Sequence, residues 1–177
     1  MMKLNGYIDV LIPRGGAGLI RSCVENSTVP VIETGTGNCH IYIDKDADIQ
    51  MAADIVYNAK TSRPSVCNSA ESLVIHKDII KKALPIIKKR LDEKNVELRG
   101  DDTARASADG ILPATEDDWG REYLDYIMSV KTVESLDEAI EHISKYSTGH
   151  SECIVTENEA AAEEFLNELA HSYSDSR

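Results

Sequence analysis

The stretch Asn58-Ala59-Lys60-Thr61-Ser62-Arg63-Pro64-Ser65-Val66-Cys67-Asn68-Ser69-Ala70-Glu71-Ser72-Leu73-Val74-Ile75-His76 decides the fold class. Just upstream, Ile49, Ala52, Ala53, Val56 and Ala59 recur at helical spacing, and Asp46 or Asp48 can cap that helix. Pro64 stops the helix or the loop after it, because proline lacks the N–H a helix needs and clashes with the preceding turn. Leu73-Val74-Ile75 is a short aliphatic run, the signature of a buried strand. Helix, loop and strand, with Cys67 held in the connection, form the repeating phrase of an α/β protein.

The same phrase extends in both directions. Toward the N-terminus, Ile8-Val10-Leu11-Ile12 reads as a buried strand closed by Pro13-Arg14-Gly15-Gly16, and Leu19, Ile20, Cys23 and Val24 mark a short helix. Val29-Pro30-Val31-Ile32 and His40-Ile41-Tyr42-Ile43 are two further strands, separated by Glu33-Thr34-Gly35-Thr36-Gly37-Asn38. Toward the C-terminus, Asp78 opens a helix carrying Ile79, Ile80, Ala83, Ile87 and Leu91, which Pro85 should kink or delay, and Val96 and Leu98 suggest a short strand. Gly100 to Asp118 is polar and reads as a long exposed loop. Tyr126 to Val130 is a strand, Ser135 with Glu138 spells a capping box, and Cys153-Ile154-Val155 is the last strand. Thr156 with Glu159 spells a second box, opening a helix that runs through Phe165 and Leu169.

Composition bounds the function. The 177 residues include 31 Asp+Glu and 19 Lys+Arg, a formal charge of −12, so a basic nucleic-acid binder is excluded. At 42% hydrophobic and 28% charged the chain is an ordinary globular one, and its single Phe and single Trp leave the core to aliphatic residues. Cys23, Cys39, Cys67 and Cys153 are widely spaced, with no paired Cys/His spacing for zinc, so no metal is expected. The start has no long apolar stretch and no window reaches membrane-spanning length, which leads to a cytoplasmic expectation with free thiols and no membrane partner.

Chemistry concentrates around Cys67. Lys60 and Arg63, seven and four residues before it, are cations that could stabilise a thiolate or an anionic substrate, and Asn68 is the adjacent amide. The alternative for Cys67 is an inert buried thiol, and for the two cations a surface role balancing an acidic protein. Gly35 and Gly37 permit close backbone approach to a ligand, although they precede a strand and do not complete a dinucleotide-binding glycine turn. His142, beside Glu141 on a helix, reads as solvated, whereas His150 follows Gly149 in a turn where its ring could face a cleft. Cys67 with His150 would make a cysteine hydrolase, a reading that proximity alone could support.

Taken together, IDVLIPRGGAGLI (Ile8 to Ile20), VPVIETGTGNCHIYIDKDADIQMA (Val29 to Ala52), NAKTSRPSVCNSAESLVIH (Asn58 to His76) and DWGREYLDYIMSVKTVESLDEAIEHISKYSTGHSECIVTENEAA (Asp118 to Ala161) resemble the gamma-glutamyl phosphate reductases of the aldehyde dehydrogenase superfamily. The resemblance implies an aldehyde-dehydrogenase-like catalytic domain, a three-layer sheet with helices on both faces. It implies reduction of L-glutamyl 5-phosphate with NADPH to glutamate 5-semialdehyde and phosphate, a step of proline synthesis, through a thioester on Cys67. Lys60, Arg63, Asn68 and His150 are then substrate-side residues. Glu33 falls where hydrolytic members of the superfamily keep a general base, and Glu122 near the position that contacts the nicotinamide ribose; both are carried to the cofactor side.

Family members are longer. Residues 1–28 are therefore expected to be the end of a cofactor-binding domain, 29–169 the thiol domain and 170–177 a disordered or unrelated tail, with the chain inactive alone. A different class of function is a non-catalytic α/β module that assembles with a partner chain supplying the cofactor domain. Strand edges left uncovered favour self-association, so a homo-oligomer is expected.

Overall fold

The aliphatic runs become the strands of one parallel sheet. In the computed structural model, which describes residues 1–33 and 35–174, leaving aside the side chains of Ala17 and of residues 171–174, six strands form: β1 (Cys39–Ile43), β2 (Ala70–His76), β3 (Glu97–Gly100), β4 (Leu112–Pro113), β5 (Ile127–Val133) and β6 (Glu152–Val155). Their order is β4-β3-β5-β2-β1-β6, and every pairing is parallel. The helices are α1 (Ala17–Asn26), α2 (Ile49–Thr61), α3 (Lys77–Asp92), α4 (Asp102–Ser107), α5 (Glu116–Trp119), α6 (Leu136–Tyr146) and α7 (Glu159–Ser174).

Successive side chains on a strand point to opposite faces, and here both faces are covered. Ile41, Ile43, Leu73, Ile75, Met128 and Val130 pack with Ala52, Val56, Ile80, Leu84 and Ala104 of α2, α3 and α4. Tyr42, Val74 and Val133 pack with Ala139, Ile143, Phe165 and Leu169 of α6 and α7. Burial from both sides is why the centres of β1 and β2 read as aliphatic runs, whereas the shorter β3 alternates Glu97 and Arg99 with buried Leu98 and Gly100. From β1 to β4 the chain moves one way across the sheet; β5 and β6 bring it back, and α6 then lies on the opposite face. This is the three-layer α/β arrangement expected from the sequence.

Contacts divide the chain into two units, Met1–Thr36 and Gly37–Arg177, where the sequence reading places a boundary after residue 28. In the first unit the expected buried strands do not form. Leu11 and Val31 make one isolated parallel bridge, and Val10, Ile12 and Ile32 are 42%, 55% and 56% exposed. Two extended segments joined at one point have no third strand or second layer against which to bury a face. Within α1, Cys23 and not Leu19 or Val24 is buried.

The second unit corrects several local expectations. Gly100 to Asp118 is not an exposed loop: it holds α4, β4 and α5, with Ala104, Ile111, Asp118 and Trp119 buried. Asp101 organises it, accepting from Ala104 N at 2.8 Å to cap α4 and from Thr132 N at 2.6 Å on β5. His76, not Asp78, caps α3, its Nδ1 accepting from Asp78 N. α3 continues unbroken through Pro85. Ser135 caps α6 as expected, but Glu138 reaches Glu134 N and not the cap residue's own N–H. Asn158, not Thr156, accepts from the first turn of α7, at Ala161 N. That helix runs on to Ser174, past the expected start of a tail at residue 170, and the last three tail residues lie outside the described ones.

Candidate functional site

Because all strands are parallel, the connections entering β1, β2, β5 and β6 meet at one edge of the sheet, the N-terminal ends of four strands. The connection into β2 carries the thiol. Ser69 N donates to Val66 O at 3.0 Å, closing a turn with Cys67 and Asn68 at its two central positions, both exposed. Ser69 Oγ donates to Ala59 O and ties the turn back to α2. Cys67 is exposed, whereas Cys23 and Cys39 are buried.

Two residues entering β1 brace this turn. A Cβ added to Gly37 would fall 1.7 Å from the Cys67 carbonyl oxygen and 2.8 Å from its Cα, so only glycine fits. The close approach read from the glycine pattern is thus made to the backbone of the thiol turn. Cys39 Sγ donates to Cys67 O at 3.3 Å. Burial first, then the charges of neighbouring acidic groups, pushes the Cys39 thiol up to about 12, so it stays protonated and serves as the donor.

The connection into β5 adds a carboxylate. Glu122 Oε1 accepts from Gly37 N at 2.7 Å, so it bonds the very residue that packs on Cys67. Behind it Leu124 has a left-handed backbone, φ 56°, and donates its N–H to Glu71 Oε1 at 3.2 Å. Glu71 Oε2 accepts from Lys60 Nζ at 2.6 Å, and both side chains are fully buried. Burial pushes Lys60 down and Glu71 up, and their mutual bond opposes both shifts. On the other side of the same connection, Tyr123 OH donates to Asp118 Oδ1 at 2.6 Å, and Arg99 and Thr115 also donate to that carboxylate. Burial works against its charge, yet these bonds outweigh burial and hold Asp118 well below the usual carboxylate range.

The connection into β6 lies across β1 from the thiol turn. Thr148 Oγ1 accepts from Asn38 N at 3.0 Å, and Glu152 accepts from His40 N at 2.9 Å. Asn38 Nδ2 donates to the carbonyls of Trp119 and Tyr146. His142, read from sequence as solvated, is buried among His40, Trp119 and Tyr146, and burial lowers its pKa to about 3.

The sequence-predicted residues separate accordingly. Cys67, Asn68 and Glu122 share the edge, and Arg63 is exposed in the same loop as the thiol. Lys60 is neither a surface cation nor exposed to a substrate phosphate: it is buried against Glu71. His150 is exposed beside Gly149, with β1 between its parent strand and that of Cys67. Glu33 is exposed in the first unit. Reasoning from sequence missed Glu71, although a carboxylate two residues before the aliphatic run Leu73-Val74-Ile75 was a visible anomaly. Among the described residues no group of three or more His, Cys, Asp or Glu is arranged to hold a metal, and no helix is long and apolar enough to cross a membrane.

Comparison with known proteins gives the chain its relatives. It is 64% identical over 169 residues to gamma-glutamyl phosphate reductase of Lachnospira eligens, covering 96% of this chain and 41% of that protein. It is 58% identical over 169 residues to the enzyme of the same name from Clostridium beijerinckii, with the same coverage. The crystal structure of gamma-glutamyl phosphate reductase from Thermotoga maritima matches 95% of this chain and 41% of its own, with TM-score 0.90 and 52% identity. An acetylating aldehyde dehydrogenase from Geobacillus thermoglucosidasius matches with TM-score 0.69 and 19% identity, a likeness of fold alone. No family model matches. The chain spans about two fifths of the length of these curated relatives.

Proposed function

We propose that this chain, homologous to the gamma-glutamyl phosphate reductases over 96% of its residues, is the thiol-bearing part of an oxidoreductase that reduces L-glutamyl 5-phosphate to glutamate 5-semialdehyde in proline synthesis. The observation that carries the reading is the turn at Cys67: an exposed thiol at the centre of a turn whose backbone is gripped by Gly37 and Cys39.

An acyl phosphate already holds a good leaving group, so the sulfur of Cys67 can attack the carbonyl carbon, breaking the C–O bond to phosphate and forming a thioester. Negative charge builds on the carbonyl oxygen in that step, and the exposed turn offers peptide N–H groups and the Asn68 amide as its stabilisers. Arg63, exposed in the same loop, is the cation for the departing phosphate, since Lys60 is held by Glu71. A reduced nicotinamide cofactor, NADPH by the family resemblance, supplies hydride to the thioester carbon when bound. Cys67 then releases the aldehyde and recovers a proton as thiol.

The residues of this chain fit one part of that cofactor. Glu122, whose carboxylate bonds Gly37 N beside the thiol turn, is the group that would accept from a ribose hydroxyl. The Gly35-Thr36-Gly37 segment does not fit the phosphates, because it runs into β1 and not into a helix N-terminus. The remaining cofactor groove belongs to sequence beyond the two fifths matched here, supplied in the same polypeptide or by a partner, and turnover by this chain alone is not expected.

The test is Cys67→Ser in an enzyme that carries this domain together with its cofactor half. Turnover should fall by about three orders of magnitude or more, with the fold retained by circular dichroism. Turnover within about tenfold of the parent would remove Cys67 from the mechanism.

A further inference from the structure

The buried pair under the thiol turn has no place in the reaction just described, yet it touches the connection that carries Glu122. Lys60 comes from the last turn of α2, Glu71 from the start of β2, and the peptide N–H that Glu71 accepts belongs to Leu124. Leu124 is one of two described non-glycine residues with positive φ, and at 44% exposed it is not part of the buried core. A leucine in the left-handed region costs about 1–2 kcal/mol and persists where its surroundings over-determine it. The Glu71 carboxylate provides that determination from below, while Asp118 secures the neighbouring Tyr123 hydroxyl. Two residues back, the same connection delivers Glu122 to Gly37 N.

We propose that Glu71, with its charge offset by Lys60, is a positioning residue for Glu122: its bond to Leu124 N holds the Gly120-to-Tyr126 connection so that the Glu122 carboxylate stays on Gly37 N beside Cys67. The proposal deepens the functional reading, which gives Glu122 its partner, but its geometry stands on this chain alone. Lys60 is needed because a lone carboxylate at this depth would leave an uncompensated buried charge. Glu71 needs both oxygens, one for the ammonium and the other for the connection, where the Tyr123 N–H also bonds the carboxylate beside that of Leu124.

Amide hydrogen exchange on this chain tests it at three sites: Leu124, Gly37, and Val74 in the centre of the sheet as the measure of global stability. Two uncharged variants are compared. Lys60→Met/Glu71→Gln retains a carbonyl oxygen for Leu124 N, and Lys60→Met/Glu71→Met does not. Exchange at Leu124 and Gly37 should stay within about threefold of the parent in the first and rise tenfold or more in the second, after correction for any change at Val74. Glu71→Asp, which keeps a charge beside Lys60 but withdraws the carboxylate by one methylene, serves if the double methionine variant does not fold, and should accelerate the same two amides. Equal Gly37 exchange in the compared variants, or acceleration no greater than at Val74, overturns the proposal. Neither result bears on Cys67 as nucleophile, which the turnover experiment decides separately.

Discussion

The two ends of the sheet are built from different materials. At the C-terminal ends of the strands, short polar side chains do the work of ending strands and starting helices: Asp44 accepts from Tyr42 OH and Thr156 Oγ1, and His76, Asp101, Ser135 and Asn158 accept from the first turns of helices. A cavity of about 460 Å3 opens there among Asp44, His76, Ser135 and Asn158. At the N-terminal ends lie a thiol, a glycine that admits no Cβ, a left-handed leucine and a buried ion pair. Open α/β sheets usually receive ligands at the C-terminal ends of their strands. Here the exposed thiol to which we assign the chemistry sits at the other end, and the first end is occupied with capping. Regular hydrogen bonding marks the capping end, and local irregularity marks the end that carries the exposed thiol.

The contrast breaks if substitutions at the two ends have the same consequences. The largest effect is expected from Gly37→Ala, whose methyl group would overlap the Cys67 carbonyl: stability should fall by about 3 kcal/mol, and alkylation of Cys67 by iodoacetamide should change at least severalfold. A variant with unchanged melting and alkylation would show that the turn yields freely. Next comes pH. His142 is held neutral by burial, with its pKa lowered from 6.5 to about 3, so the unfolded chain binds the proton first as pH falls. The stability it contributes is complete above pH 6.5 and is lost as pH falls from there toward 3. His142→Phe should flatten that part of a urea-denaturation profile, and an unaltered slope would refute the assignment. The smallest effect belongs to the capping end: Asn158→Ala should cost about 1 kcal/mol and leave the Cys67 alkylation rate alone. A change in that rate would couple the two ends and dissolve the distinction.

Much of the fold was legible in the sequence because its determinants are local or periodic. Strands β1, β2, β5 and β6 are aliphatic runs, and α2, α3 and α6 carry their buried residues at helical spacing. What was not legible depends on partners distant in sequence. Ile8 to Ile12 is as apolar as His40 to Ile43, yet only the latter lies between two other strands. Gly100 to Asp118 looked like a loop because its organising group, Asp101, bonds to Thr132 some thirty residues away. The same holds at the site. That Cys67 lies in a helix-to-strand connection could be read locally, but the burial of Lys60 depends on Glu71 eleven residues on, and the packing of Gly37 on a backbone thirty residues on.

The contact between Gly37 and the thiol turn is made entirely to the main chain of residue 67, to its carbonyl oxygen, carbonyl carbon and Cα. Where the side chain at 67 stands is therefore encoded at one residue and what it is at another. A serine, aspartate or selenocysteine at 67 would be presented from the same perch, so the chemistry of this edge is exchangeable in a way that its architecture is not.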